Sequence, residues 1–237
     1  MIRKKWNLVN YLFPPRCVVC DGLTGRPDEK VCPKCKSRIV YIHEPCCLKC
    51  GKQLGQDEKE YCSDCERGRH IFVQGTALYD YGSMADSVFR FKYAGRTEYA
   101  KFYGKDLYEK KAKWLAGINP DALVPVPIHP ARMRSRGYNQ AYLIARELSG
   151  YCGVPVRKDL IERKRRTKPL KNLSHEERQN NLKKAFKILQ NDVKLNTIVI
   201  IDDIYTTGST VDAMSEMLME AGIDKVYFMA LTIGRGI

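Results

Sequence analysis

The spacing of apolar residues changes character near residue 70. Before it, large apolar side chains are sparse and pairs of cysteines recur; beyond it, short apolar runs alternate with stretches of helical spacing. The run IFVQGTALYDYG at 71–82 reads as a strand, and the periodicity predicts helices over 84–93 and 98–115. A short strand follows at 122–126. Residues 139–148 place Ala141, Ile144, Ala145 and Leu148 at helical spacing, with Gly150 as the natural terminator. Residues 154–156 read as a brief strand and 176–186 as a polar helix. Ile198, Val199, Ile200 and Ile201 form an unbroken apolar run, which suits a parallel strand buried on both faces. A helix over 209–221 and a strand over 225–233 complete an alternating β/α order. That order predicts an α/β fold over residues 71–237, a mostly parallel sheet with flanking helices, preceded by a small separate domain over residues 1–70.

Composition narrows the class. A length of 237 residues suits one α/β domain with a small appendage. No apolar run approaches the roughly 18 residues of a membrane span. The opening MIRKKWNLVNYLFPPR is basic and then amphipathic, its apolar stretch is broken by Asn7 and Asn10, and no small-residue cleavage site follows. A docking helix is therefore expected there in place of a secretory signal, with membrane-surface contact as the alternative. The cytoplasm is the expected compartment. Net charge is +14 and uneven: residues 157–187 hold twelve Lys or Arg against four acids. Arg163, Lys164, Arg165, Arg166, Lys168 and Lys171 form the densest part. Such a run is either a solvated loop or a surface for nucleic acid or polyphosphate, since packed cations repel unless an anion is near.

Eight of the ten cysteines pair as C-x-x-C: Cys17 with Cys20, Cys32 with Cys35, Cys47 with Cys50 and Cys62 with Cys65. Each pair supplies half a tetrahedral metal site, so the eight make two four-cysteine zinc sites, with the redox reading as the alternative. Serial pairing is expected, giving one ribbon from Cys17, Cys20, Cys32 and Cys35 and a second from Cys47, Cys50, Cys62 and Cys65. The uniform fifteen-residue repeat also admits nested or crossed pairing, or one site with four free cysteines. A closed site of four thiolates is structural, and metal binding would hold together a segment with few large apolar side chains. Cys46 and Cys152 fall outside the pattern.

Two stretches carry the chemistry. In IVIIDDIYTTGST, at 198–210, Asp202 and Asp203 end the apolar run, and Thr206, Thr207, Gly208, Ser209 and Thr210 form a small-residue turn before a helix. Open α/β sheets place ligands at strand ends, and backbone N–H groups at a helix start make an anion site. The segment resembles the phosphoribosyl-pyrophosphate (PRPP) loop of type I phosphoribosyltransferases; the bland alternative is an acidic pair capping a helix. In VPVPIHPARMRSRGYNQA, at 124–141, Arg132 and Arg136 follow a strand and suit a pyrophosphate. The alternative there is that 136–140 is only an N-cap and helix start. His129 is either a proton donor or structural. Residues 164–186 are polar, basic and poorly periodic, as a lid over an anionic ligand would be.

Taken together, the cysteine array, Phe91-Lys92-Tyr93-Ala94-Gly95-Arg96, the 124–140 stretch, residues 167–186 and IVIIDDIYTTGST resemble the ComF family, over nearly the whole chain. The resemblance implies a double zinc ribbon joined to a phosphoribosyltransferase-like domain, in a cytoplasmic factor for uptake of single-stranded DNA in natural transformation. It implies a helicase-like DNA-translocating ATPase as partner, and an uptake machinery associated with the membrane. One departure is Thr167-Lys168-Pro169-Leu170, where the family often has Thr-x-Pro-Gln, so any ligand contact by that glutamine is lost.

Three functions follow as expectations. As an active phosphoribosyltransferase, the chain would use Asp202 and Asp203 on the ribose hydroxyls directly or through Mg²⁺, and the turn at 206–210 on the 5′-phosphate. Arg132 and Arg136 would lie on the pyrophosphate side. As a nucleic-acid-handling module it would keep the PRPP pocket as a strand or regulatory site, with the basic run on the backbone and Tyr93 or Tyr138 stacking on bases. As an adaptor it would dock the ATPase through its ribbons. The second is the reading adopted, with the third alongside it.

Overall fold

The computed structural model describes residues 11–68, 70–164, 185–189 and 194–234. Four parallel strands form the central sheet in the order β1, β6, β5, β2: β1 (Gly75–Asp80), β2 (Ala122–Pro125), β5 (Thr197–Tyr205) and β6 (Lys225–Ile233). A second, two-stranded antiparallel sheet joins β3 (Ile161–Arg163) to β4 (Phe186–Ile188). The alternating order expected from periodicity is borne out. Three boundaries differ from the sequence pattern. β5 continues through Asp202 and Asp203 to Tyr205, because Ile204 and Tyr205 stay in register with Thr232 and Ile233. The helix expected to stop at Gly150 runs on to Cys152, where Gly153 in the left-handed region (φ 75°) closes it. Val156 makes only a single bridge, to Leu123. The polar helix expected over 176–186 lies outside the described residues except for its end, where Phe186 is in β4.

Alternation along the strands sends side chains to two separate cores. Ile198, Ile200, Phe228 and Ala230 face one side, against Val211, Met214 and Leu218 of the helix Ser209–Glu220. Val199, Ile201, Met229 and Leu231 face the other, against the helices Tyr81–Tyr93, Tyr99–Ile118 and Gln140–Cys152. Both faces are covered, which is why the strands carry no polar alternation. Numbered in chain order, the helices of the described residues are α1 (Pro33–Lys36), α2 (Ser63–Arg67), α3 (Tyr81–Tyr93), α4 (Tyr99–Ile118), α5 (Pro130–Arg136), α6 (Gln140–Cys152) and α7 (Ser209–Glu220). Among the described residues none is long and apolar enough to cross a membrane.

The two cysteine modules sit on opposite faces of this sheet. Cys17, Val18, Val19, Val31 and Cys35 join the α3/α4/α6 core, whereas Cys47, Cys50 and Cys62 join the α7 core beside Phe72. Asp21 fastens the first module: it accepts from Arg96 Nη2 at 2.7 Å and from the Tyr99 hydroxyl at 2.7 Å. Burial would raise its carboxyl, but these two donors overcome it and hold the group below the usual range. Gly51 seats the second module; with φ 72°, its missing side chain leaves room where a Cβ would fall 2.7 Å from the Gly75 carbonyl. The segment between them crosses the free edge of β1, with Ile42 N donating to Leu78 O and Asp80 N to Val40 O. That cover protects an otherwise open sheet edge.

Candidate functional site

The carboxyl ends of β2 and β5 open into a cavity of about 310 Å³. Its lining joins elements distant in sequence: Lys92 and Tyr93 from the end of α3, Arg132 and Arg136 from α5, Gln140 from α6, Arg163 from β3, and Asp202, Asp203, Thr206 and Thr210 from β5 and the turn after it. Asp202, Asp203, Arg132, Arg136 and, of the turn, Thr206 and Thr210 are thus brought to one place, whereas Thr207, Gly208 and Ser209 are not part of its lining.

The acids differ in environment. Asp203 is buried and pairs with Lys92, Nζ to Oδ1 2.9 Å. Asp202 is half-buried and its Oδ1 accepts from the Asp203 amide at 2.8 Å. Burial, with the Asp203 carboxylate beside it, pushes the Asp202 carboxyl from 3.8 up to about 7, against the pull of Lys92. Arg163 is shifted the other way, downward, by burial and by the charge of Arg132, with Asp202 opposing. Its guanidinium lies over the Phe186 ring at 5.4 Å. Arg163 therefore belongs to the pocket wall, whereas the neighbouring Lys164 points to solvent near Glu162. Arg165, Arg166, Lys168 and Lys171 lie outside the described residues.

The turn at 206–210 is built for close backbone approach. Gly208 adopts φ 77°, and a Cβ there would fall 2.6 Å from the Tyr205 hydroxyl and 2.8 Å from His70 Cε1. Thr206 and Thr207 are exposed, Thr210 is half-buried, and Thr207 Oγ1 lies 3.0 Å from Ser209 Oγ. The turn opens directly into α7, whose first amides carry the positive end of the helix dipole.

The 129–140 stretch divides its duties. His129 caps α5, its Nδ1 accepting from the Ala131 amide at 3.1 Å, so the structural role describes it. Asn139 caps α6 by accepting from Ala141 and Tyr142 amides, and donates to Val126 O at 2.9 Å. The N-cap reading therefore holds for Asn139, while Arg136 lines the pocket. Tyr138 is not an exposed ring: it is half-buried and donates its hydroxyl to Phe91 O. Tyr93 is exposed, at 65%. Two contributors have no signal of their own in the sequence. Lys92 is visible only inside the 91–96 motif, because its partner Asp203 is far along the chain. Gln140 is 1% exposed, lines the cavity, and its side-chain nitrogen has no hydrogen-bond partner among the described residues. A buried open donor facing a cavity is costly unless a ligand takes it.

The cysteines cluster serially, Cys17, Cys20, Cys32 and Cys35 in one group and Cys47, Cys50, Cys62 and Cys65 in the other, each with its sulfurs within 4.8 Å of one another. Cys20 and Cys32 sulfurs are 3.9 Å apart, and those of Cys50 and Cys62 are 3.7 Å apart. A disulfide needs about 2.05 Å. A tetrahedron of sulfurs bonded to zinc at about 2.3 Å has edges of about 3.8 Å. Both donor sets fit Zn²⁺. Cys46 instead donates its thiol to His43 O, and Cys152 is half-buried.

The chain's likeness to known proteins follows this division. Residues 8–66 match the double zinc ribbon domain and residues 103–234 the phosphoribosyl transferase domain. Competence protein ComFC of Bacillus subtilis (strain 168) is 30% identical over 225 residues, covering 87% of this chain and 89% of that protein. The DNA utilization protein YhgH of Escherichia coli (strain K12) is 28% identical over 219 residues, 91% of this chain and 88% of that one. Competence protein F of Haemophilus influenzae is 33% identical over 114 residues, a match that spans 50% of its length. With both domains matched in order, and ComFC aligned over most of both chains, this chain belongs to the ComF family of double zinc ribbon and phosphoribosyltransferase-like proteins.

Proposed function

We propose that this chain is a DNA-handling protein of single-stranded DNA uptake whose strand-end pocket binds PRPP or a related ribose phosphate. The observation that carries the pocket reading is the convergence of an acidic pair, Thr206 and Thr210 of the turn, and Arg132, Arg136 and Arg163 on one 310 Å³ cavity. In it, Asp202 would take ribose hydroxyls, the turn at 206–210 the 5′-phosphate, and Arg132 and Arg136 the pyrophosphate side. Asp203 holds Lys92 at the pocket floor. The paired carboxylates are the hard oxygen donors that Mg²⁺ prefers, and bound there the ion would neutralise charge on the pyrophosphate. Each ribbon holds a structural Zn²⁺. The DNA role is supported by the names of the relatives, which are competence and DNA utilization proteins. A helicase-like ATPase is the partner proposed for the ribbons.

The test is calorimetric titration with PRPP and Mg²⁺, beside an assay of pyrophosphate release with the common nucleobases. Saturable PRPP binding that Asp202→Asn with Asp203→Asn abolishes, in a protein that stays folded, is expected. Unchanged affinity in that variant would remove the pocket reading. Release stimulated by one base and absent from the variant would make the chain an active phosphoribosyltransferase and reduce DNA handling to a secondary role.

A further inference from the structure

Next to the pocket mouth, α3 turns two large aromatic side chains to solvent. Phe89 is 61% exposed and Tyr93 65%. They lie one turn apart on the same face, with ring centroids 5.0 Å apart. The Arg136 guanidinium covers Tyr93 from the α5 side, 4.9 Å from the ring centroid. Phe89, Tyr93 and Arg136 thus form a continuous row, with the two ring planes tilted 48° to each other, and its inner members, Tyr93 and Arg136, also line the cavity. Exposing two such rings costs hydration free energy that burial in the core would recover. Nothing in the packing of α3 calls for it, since Met84, Ser87, Val88 and Phe91 already form the buried face.

We infer that this row is a base-docking strip for single-stranded DNA, placed so that a nucleotide stacked on it directs its sugar phosphate toward the pocket. The inference rests on the proposed pocket function and adds where the strand lies. Three observations select this occupant. Two exposed rings, tilted to each other, and a guanidinium offer the π-faces on which single-strand-binding proteins seat bases without regard to sequence. The strip runs into a cavity bordered by Lys92, Arg132, Arg136 and Arg163, so the charge beside the rings complements a phosphate backbone. Its size also argues for a base: a stable protein interface buries upwards of about 1,000 Å², whereas three side chains match one or two nucleobases. A duplex would keep its bases paired and offer no face to the strip.

The experiment uses the full chain with a fluorescent oligothymidylate of about 15 nucleotides, read by anisotropy over a salt series. PRPP binding is measured in parallel. Phe89 does not line the cavity, so Phe89→Ala separates strip from pocket. It is expected to weaken DNA binding by about tenfold. The slope of affinity against salt should stay as in the unaltered chain, because stacking displaces no counterions, and PRPP affinity should be unchanged. Phe89→Trp should retain DNA binding. Photo-crosslinking with 5-iodouracil DNA should label the peptide carrying Phe89 and Tyr93.

Undiminished DNA affinity in Phe89→Ala, with PRPP still bound, would overturn the strip and leave the pocket standing. A chain that binds DNA but not PRPP, with the Phe89 effect intact, would keep the strip and overturn the pocket. Binding of neither ligand by the unaltered chain would overturn both. Tighter binding of the matching oligoribonucleotide would overturn the assignment to DNA.

Discussion

The Asp212 carboxylate, inside the first turn of α7, holds the His70 ring at 2.8 Å and the Ile71 amide at 2.9 Å. Asp212 is wholly buried and the His70 side chain is 4% exposed. This pair ties the chain leaving the second ribbon to the turn at 206–210. His70 stacks on Phe72, Phe72 meets Phe228 edge-on, and Phe228 lies flat against Tyr205 at 4.5 Å. Gly208 packs against both ends of that series, His70 and the Tyr205 hydroxyl. His70→Ala should therefore cost about 1–3 kcal/mol, by leaving a buried carboxylate short of a donor. It should also lower PRPP affinity with the zinc content unchanged. Chemical denaturation, calorimetry and elemental analysis on one preparation read all three.

Gly208→Ala tests the same place without removing a partner. Its φ of 77° disfavours any side chain, and the added methyl would press on the Tyr205 hydroxyl and His70 ring. A loss of more than about 1 kcal/mol in stability is expected, with PRPP binding weakened further than the stability change alone explains. Wild-type affinity in Gly208→Ala would show that the turn does not hold the phosphate.

Lys92 and Asp203 can be tested by separating them. Their side chains are 18% and 12% exposed and 2.9 Å apart. Lys92→Met removes the cation while keeping the length of the side chain, so Asp203 is left nearly buried without its partner. A destabilisation of about 2–4 kcal/mol is expected. Lys92→Met combined with Asp203→Asn should recover much of that loss. A double-mutant cycle with no coupling would show the pair to be incidental.

How much of the molecule is legible in its sequence varies with the range of the interaction. The central strands are legible because Ile198 to Ile201 and the run at 225–233 announce burial in a few consecutive residues. The cysteine groups are legible because each ligand pair is local. The end of β5 is not, since two aspartates read as a terminus, yet hydrogen bonding to β6 carries the strand past them. Lys92 and Gln140 escape for the opposite reason: each is defined by a cavity assembled from distant segments, and neither has a local pattern. Composition groups Arg163 with a solvent-facing run, but pairing of β3 with β4 turns it into the pocket wall. That the two ribbons straddle the sheet is not legible at all, because a uniform repeat says nothing of the β1 edge that the intervening segment crosses.

The straddling arrangement predicts unequal consequences for the two metal groups. The second ribbon shares a core with Phe72, Tyr205 and Phe228, next to the turn at 206–210. The first joins the core under α3 and α4, away from that turn. Cys47→Ser with Cys50→Ser should release one zinc equivalent, cost about 4 kcal/mol or more, and weaken PRPP binding. Cys17→Ser with Cys20→Ser should release the same amount of metal while PRPP affinity survives. Elemental analysis with calorimetry distinguishes the two, and equal loss of PRPP binding in both would contradict the described packing.

Asp202 gives a pH dependence whose sign follows from its environment. Its carboxyl is raised from 3.8 to about 7 by burial and the neighbouring Asp203 carboxylate. Below about pH 4 it is protonated in folded and unfolded chains alike, and contributes nothing to the slope. Between roughly pH 4 and 7 the unfolded chain releases the proton while the folded chain keeps it, so this group makes stability fall as pH rises. Above about pH 7 both are ionised and the loss is complete. A tenfold change in acidity between the two states corresponds to about 1.4 kcal/mol, and solvent reaching this half-buried group reduces the expected total to about 2 kcal/mol. Asp202→Asn should therefore stabilise the metal-free, ligand-free protein at pH 8 by about that amount and leave it nearly unchanged at pH 4. Denaturation curves of both proteins across this range give the comparison directly. A constant difference at every pH would mean that Asp202 keeps its ordinary acidity in the fold, and with it that the pocket floor is wetter than its packing against Asp203 and Lys92 implies.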